Sequence, residues 1–139
     1  MKRLQIIKSS IAFLFLIISI QTANCQTDNS LAKSNPNASE ITFEKTVHNF
    51  GPLLKNSDGS TEFIFKNTGK GPLVLSNVTA SCDCTTPQWP KEPIMPGKTA
   101  TIKVVYDTKK IGVFSKTVTV SSNAITNKLE LTIQGEVYE

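Results

Sequence analysis

Apolar and polar residues alternate along much of the chain after Ile41, in short segments separated by turn residues. The alternation is clearest over residues 60–66, 99–107, 113–121 and 129–137. A period of two residues is typical of β-strands that bury one face, and no segment has the 3.6-residue period of an amphipathic helix. The pattern therefore predicts an all-β domain built from short strands.

Three weaker strand candidates add to this pattern. Residues 41–44 and 47–50 are short candidates, and Gly51-Pro52 is a turn pair that would end the second of them. Residues 73–78 form the third, in which Ser76-Asn77 breaks the alternation as a β-bulge would.

Together the segments predict an immunoglobulin-like antiparallel β-sandwich of about seven strands. Pro96-Gly97 provides the two residues that a type II turn prefers at its centre, just before the strand at 99–107. The apolar faces are expected to fill one core between two sheets, formed by Phe43, Phe63, Phe65, Leu73, Leu75, Ile102, Val104, Phe114, Val118, Val120, Leu129, Leu131 and Ile133. At roughly 1.5–3 kcal/mol for each large side chain, this core can hold the fold without a covalent staple.

The first 25 residues have the composition of a secretory leader. Lys2, Arg3 and Lys8 precede an apolar run at 11–20. That run is shorter than the about 20 residues that a membrane-spanning helix needs, and it suits the apolar part of a signal peptide.

The residues around position 25 decide how the leader ends. Ala23 and Cys25 lie at the third and first positions before a signal-peptidase cut, so we predict a signal peptide over 1–25. The alternative is a lipoprotein anchored through Cys25. We rank it second because Thr22 and Asn24 depart from the residues that usually precede a lipid-bearing cysteine.

Removal of the leader changes the charge and the expected compartment. The net charge falls from +4 to +1 because Lys2, Arg3 and Lys8 leave with it. The remainder has no basic patch, which argues against nucleic acid as a partner, and no transmembrane span is expected in it. Residues 26–40, rich in Asn, Ser and Thr, are predicted to be a flexible linker before a sandwich domain at 41–139. Export places the protein where disulfides persist.

Short motifs occur in order over residues 41–137. They are Phe50-Gly51, Asn67-Thr68-Gly69, Ser81-Cys82-Asp83-Cys84-Thr85, Pro93-Ile94, Pro96-Gly97, Val105-Tyr106-Asp107, Gly112-Val113-Phe114, Ser122-Asn123 and Gly135-Glu136-Val137. In this set and order the sequence resembles the bacterial domain-of-unknown-function family 1573, although Asp83 stands where that family usually has glycine. The resemblance implies an exported immunoglobulin-like domain and no established activity.

The predicted mature chain keeps two cysteines, Cys82 and Cys84. One interpretation is a disulfide closing a three-residue ring, for which the chain entropy is worth only about 1.6 kcal/mol. In an extended strand the pair would lie near the upper limit of the bridging distance, so the bond would be strained and easily reduced. A second interpretation is ligation of Cu(I), or of Zn²⁺ with His48 as a further ligand. The third is a turn with no chemical role.

Two other side chains are binding candidates, Trp89 and Asp83. Trp89 is either an exposed aromatic for a partner or a cap on the core, and we favour the cap. Asp83, the residue between the two cysteines, is the other candidate. His48 is the only histidine, and without a G-x-S-x-G nucleophile motif we interpret it as a strand-edge residue.

The sequence therefore predicts an exported, non-catalytic structural or protein-binding module of the bacterial cell envelope, periplasmic or extracellular. We expect no cofactor and no enzymatic activity, and we expect a protein partner that binds a sheet edge by strand addition. The alternative is a thiol–disulfide or copper-handling protein that uses Cys82 and Cys84.

Overall fold

Eight strands form two four-stranded sheets in the computed structural model, which describes residues 35–139. The strands are β1 Ile41–Phe43, β2 Val47–Leu54, β3 Ser60–Asn67, β4 Leu75–Ala80, β5 Thr85–Gln88, β6 Thr99–Tyr106, β7 Gly112–Ser122 and β8 Lys128–Tyr138. The predicted signal peptide, 1–25, and the predicted linker up to residue 34 lie outside the described residues. Within 35–139 no helix is long and apolar enough to cross a membrane.

The strand order is β1-β3-β6-β5 in the first sheet and β2-β8-β7-β4 in the second. The predicted all-β sandwich is confirmed. One pair departs from the antiparallel expectation, because β2 lies parallel to β8. Side-chain alternation reports which face of a strand is buried and says nothing about the direction of its neighbour, so the sequence pattern does not reveal such a pair.

The strongest alternating segments form strands at the expected places. Residues 60–66 and 99–107 correspond to β3 and β6, which pair over Ser60–Lys66 and Thr99–Val105. Gly97 has a φ of +76°, and the N–H of Lys98 donates to Met95 O at 3.0 Å, as the predicted turn requires. The predicted bulge is also present, since the β4–β7 register shifts between Leu75 and Asn77.

One prediction about a strand end is wrong, and one strand was not predicted. β2 does not stop at Gly51-Pro52 but continues to Leu54, with a register shift between Asn49 and Pro52. Gly51, with a φ of +65°, supplies the positive φ at this bulge. β5 lies in a segment that the alternation did not mark as a strand, and it contains Pro87. Both prolines are tolerated because β2 and β5 are edge strands.

The core lies between the sheets and contains the predicted side chains. All of them are buried except Phe43 and Leu129, which pack partly buried against the others. The core also takes in residues outside the predicted set, namely Ile41, Val78, Cys84, Ile94, Tyr106, Ala124 and Val137, of which Tyr106 and Val137 share the alternating faces of predicted core residues. The burial of Cys84 bears directly on the chemistry of the cysteine pair.

The last residues of the predicted linker lie against the domain. Ser39 is buried, and its hydroxyl lies 3.2 Å from Asn123 O and 3.1 Å from Asn123 Oδ1. The N–H of Ile125 donates to Ser39 O at 3.0 Å, and that of Thr68 donates to Glu40 O at 2.9 Å. Ordered packing therefore begins a few residues before β1.

Candidate functional site

The cysteine turn, residues Cys82–Cys84, joins the edge strands of the two sheets, β4 and β5. Just before it, the N–H of Ser81 donates to Thr117 O at 2.9 Å, and the N–H of Thr117 donates to Ser81 Oγ at 3.1 Å. On its other side, the N–H of Asp107 donates to Cys84 O at 2.9 Å. Hydrogen bonds thus hold the turn to β7 at one end and to the end of β6 at the other.

The two cysteines are close enough for a disulfide. Their Cα atoms are 5.2 Å apart, inside the usual range for bridged residues, and the sulfur atoms are within bonding distance. The expectation of a separation near the upper limit is wrong, because the pair lies in a turn and not in an extended strand.

The two cysteines differ in burial. Cys84 is 6% exposed and belongs to the core, whereas Cys82 is partly buried and packs against the core. The hydroxyl of Thr85, itself a buried residue, lies 3.6 Å from Cys82 Sγ and 3.9 Å from Cys84 Sγ. Asp83 is exposed at the tip of the turn. The pair therefore has one solvent-facing side and one core-facing side.

An acidic cavity of about 390 Å³ lies beside the turn. Asp58, Asp83 and Asp107 line it, together with Lys109 and Tyr106. Asp58 and Asp107 each accept a hydrogen bond from their own turn, at Ser60 N (2.9 Å) and Lys109 N (3.1 Å). Within residues 35–139 no three His, Cys, Asp or Glu side chains come together as metal ligands.

Two groups at this cavity have perturbed pKa values. Hydrogen bonds from the hydroxyl and then the N–H of Ser60 lower the pKa of Asp58. Burial, and secondly the nearby Asp107 carboxylate, raises the pKa of Tyr106, whose ring stacks on Phe114 with centroids 3.7 Å apart. Both groups therefore keep their ordinary charge at neutral pH.

His48 does not join the cysteine pair. It lies on β2, whereas β4 forms the opposite edge of the same sheet. Its Nδ1 is 3.1 Å from Lys45 Nζ, and its ring packs edge-on against Phe50 with centroids 4.4 Å apart. Burial, and then the Lys45 charge, lowers the pKa of His48. This placement matches a strand-edge histidine and separates it from the sulfur atoms.

Trp89 follows β5 and packs partly buried against the core. Lys91 Nζ lies 3.1 Å from the centroid of its ring. The indole Nε1 is buried and has no hydrogen-bond partner among residues 35–139. Most of its interactions are therefore with the domain itself.

β4 presents peptide groups along a free edge that the sequence pattern did not reveal. The bond from Ser81 N to Thr117 O shows that Ser81, and by alternation Thr79, direct their peptide groups toward β7. Those of Val78 and Ala80 therefore point away from β7. No other strand in residues 35–139 pairs with that side. Only the tertiary pairing identifies this edge, so no local signal in the sequence marks it.

β5, the strand on the other side of the turn, has a blocked edge. The bond from Asp107 N to Cys84 O places the peptide groups of Thr85 and Pro87 on the outer side. The N–H of Thr85 donates to Cys82 O at 3.3 Å, and Pro87 has no N–H. Among the described residues, this edge therefore has no free donor.

The outer edge of β2 is also partly blocked against pairing with another strand. The N–H of Gly51 donates to Asn49 Oδ1 at 2.9 Å, Pro52 lacks an N–H, and the bulge interrupts the edge between them. Such features keep an exposed edge strand from pairing with other chains. Of the three longer edge strands, β4 retains the least interrupted free edge.

Comparisons with known proteins agree with this architecture. The sequence profile of a family described as "Protein of unknown function (DUF1573)" matches residues 41–137. No protein of curated function matches the chain. A crystal structure of a protein of unknown function from Porphyromonas gingivalis W83 is similar, with a TM-score of 0.65, 17% identity and 73% of this chain covered. This chain spans 48% of that protein.

Two further solved structures share the fold. The ASH/PapD-like domain 7 of human CEP192 has a TM-score of 0.62 and 7% identity, with 75% of this chain and 89% of that one covered. The YadV chaperone has a TM-score of 0.54 and 14% identity, with 72% of this chain and 53% of that one covered. At these identities the likeness shows the sandwich fold alone.

Proposed function

The chain belongs to the family described as "Protein of unknown function (DUF1573)", and from that premise we propose that it is an exported, non-catalytic protein-binding module of the bacterial cell envelope. The leader-like composition of residues 1–25 supports export. The separation of His48 from the cysteine pair argues against a Cys–His nucleophilic pair. Binding by strand addition needs a sheet edge with free peptide groups, and β4 has one.

The free edge of β4 is the observation that carries the proposal. Val78 and Ala80 direct their N–H and C=O groups outward, and a partner strand can hydrogen-bond to both. The side chain of Val78 is buried and that of Ala80 is partly buried, whereas Asn77 and Thr79 are exposed. The edge therefore suits an extended partner segment with apolar residues toward the core and polar residues toward solvent.

A proline placed in the edge tests the proposal directly. Ala80→Pro removes an outward N–H, and because this group does not bond to β7, the fold should persist. Val47→Pro is the matched control, because the bond from Thr132 N to Thr46 O places the Val47 peptide group on the free side of β2. Each variant removes one N–H from one edge.

Peptides selected from a random display library on the mature protein serve as the probe. We expect Ala80→Pro to weaken peptide binding by about tenfold, because one backbone hydrogen bond to the peptide is lost. Val47→Pro should leave the affinity unchanged. Binding should also slow amide exchange at Val78 and Ala80. Binders that tolerate Ala80→Pro and leave those amides unprotected would contradict strand addition at β4.

A further inference from the structure

The ring formed by Cys82 and Cys84 is not needed to hold its turn. A three-residue ring removes chain entropy worth only about 1.6 kcal/mol from the unfolded state. The flanking backbone is held independently by the bonds of Ser81 with Thr117 and of Cys84 with Asp107. Opening the ring therefore leaves the turn attached to both sheets, so the pair can change its oxidation state without unfolding the domain.

The two cysteines are unequally buried, and this difference indicates which of them an incoming thiol can attack. An incoming thiolate can reach the partly exposed Cys82, whereas the core restricts access to Cys84, which is 6% exposed. Attack at Cys82 makes Cys84 the leaving sulfur. The Thr85 hydroxyl lies 3.6 Å from Cys82 Sγ and 3.9 Å from Cys84 Sγ, so it is near either sulfur that becomes a thiolate during exchange.

We propose that Cys82 and Cys84 form a thiol–disulfide exchange site for a protein dithiol, with Cys82 as the attacked sulfur and Cys84 as the buried leaving group. This goes beyond the proposed binding function, because it assigns chemistry to the turn and does not depend on the β4 edge. The partner is defined by its chemistry, as a protein with two neighbouring thiols, one of them accessible as a thiolate.

The exchange balances in two steps. A thiolate of the partner attacks Cys82 Sγ, the Cys82–Cys84 bond breaks, and a mixed disulfide forms between the partner and Cys82 while Cys84 leaves as a thiolate. The second thiol of the partner then attacks its own bonded sulfur and releases Cys82. The partner loses two electrons and forms a disulfide, the pair gains them, and the two thiol protons end on Cys82 and Cys84.

The charges around the turn favour one kind of partner surface. Asp83 is exposed between the cysteines, and Asp58 and Asp107 line the adjacent cavity, with Lys109 as the one cation among its lining residues. The net negative charge attracts a thiol surrounded by basic side chains and slows the approach of anionic thiols such as glutathione.

Reaction with glutathione and with neutral 2-mercaptoethanol tests the direction of attack without any mutation. Oxidised mature protein is incubated with either thiol, quenched with acid and mapped by tandem mass spectrometry. We expect the mixed disulfide on Cys82, and we expect full reduction by dithiothreitol to leave the far-UV circular dichroism unchanged. Adducts mainly on Cys84, or reduction only after the domain unfolds, would overturn the proposal.

Single variants supply an independent measurement. The Cys82 thiol of Cys84→Ser should react with a disulfide reagent at least about tenfold faster than the Cys84 thiol of Cys82→Ser, because access controls the rate. Asp83→Asn should raise the rate of reduction by glutathione a few-fold and leave that by 2-mercaptoethanol unchanged. Equal reactivity of the two thiols would show that the asymmetry has no chemical consequence, and the proposal would fail.

Discussion

The centre of β6 and the cysteine turn are neighbours held in place by different means. Val104, in β6, is fully buried and pairs with Thr61 of β3 on one side and Pro87 of β5 on the other. The turn is instead held by a few hydrogen bonds at its ends, and the small ring adds little to them. The stability of the fold therefore depends on side chains buried along β6. The oxidation state of the adjacent turn can change at a small cost in folding free energy.

The largest effect should come from a charge placed in β6. Val104→Asp buries an unpaired carboxylate and removes an apolar side chain, so we expect a loss of several kcal/mol and an unfolded domain. Lys103→Asp is the matched control on the exposed face of the same strand. It sets a second acidic side chain opposite Glu62, which should cost under about 1 kcal/mol.

Thermal melts followed by circular dichroism distinguish the two outcomes. If both variants melted like the parent protein, or if both were unfolded, the assignment of β6 as the strand that carries the fold would be wrong.

An intermediate effect is expected from removing the ring. The double variant Cys82→Ser with Cys84→Ser loses about 1.6 kcal/mol of chain-entropy stabilisation, so its melting temperature should fall by no more than roughly 5–10 °C. The hydroxyl of Thr85 is near both positions and can pair with the new serine hydroxyls. Any thiol exchange should vanish completely in the same protein.

Secretion level and melting temperature of the double variant provide the measurement. A variant that cannot fold would mean that the turn is as essential as β6, and the contrast between the two regions would disappear.

The smallest effect should come from His48, which lies in neither region. Its folded-state pKa is below the ordinary value of 6.5, so the unfolded chain binds the proton more readily. The stability associated with this shift is present above that value and is lost as the pH falls through the folded pKa. His48→Gln should therefore flatten the decline in stability between about pH 7 and pH 5.

Urea unfolding at several pH values provides the check. Asp58 has a lowered pKa as well, but its ordinary value is 3.8, so its contribution changes at more acidic pH. A steeper decline in His48→Gln than in the parent would contradict the assigned direction.

Much of the fold is predictable because its information is local. β3, β6, β7 and β8 follow from alternation, since each buries one face and exposes the other. Pro96-Gly97 is a second local signal, because proline restricts φ at one position and glycine tolerates a positive φ at the next. The cysteine pair is a third local signal, because Cys82 and Cys84 are two residues apart in the sequence. The turn between them brings their sulfur atoms together.

Other features depend on partners distant in the chain. β5 is a strand because it pairs with β6, although its residues show no alternating pattern. Asn67 is fully buried, and it is satisfied there because its Nδ2 donates to Gly71 O and to Ile94 O, each at 2.8 Å. The sequence does not show that these two carbonyl groups lie beside Asn67. Without such hydrogen-bond partners, burial of its amide would reduce the stability of the fold.

The sequence by itself determined the fold class, most of the core and the positions of the cysteines, because periodicity and turn chemistry act between near neighbours in the chain. The tertiary structure alone decided that Cys84 is buried while Cys82 is accessible, that β4 keeps a free edge while β5 does not, and that His48 is remote from the cysteines. Each of these follows from which strands lie side by side. That choice is made by packing between residues far apart in the chain, so no local pattern encodes it.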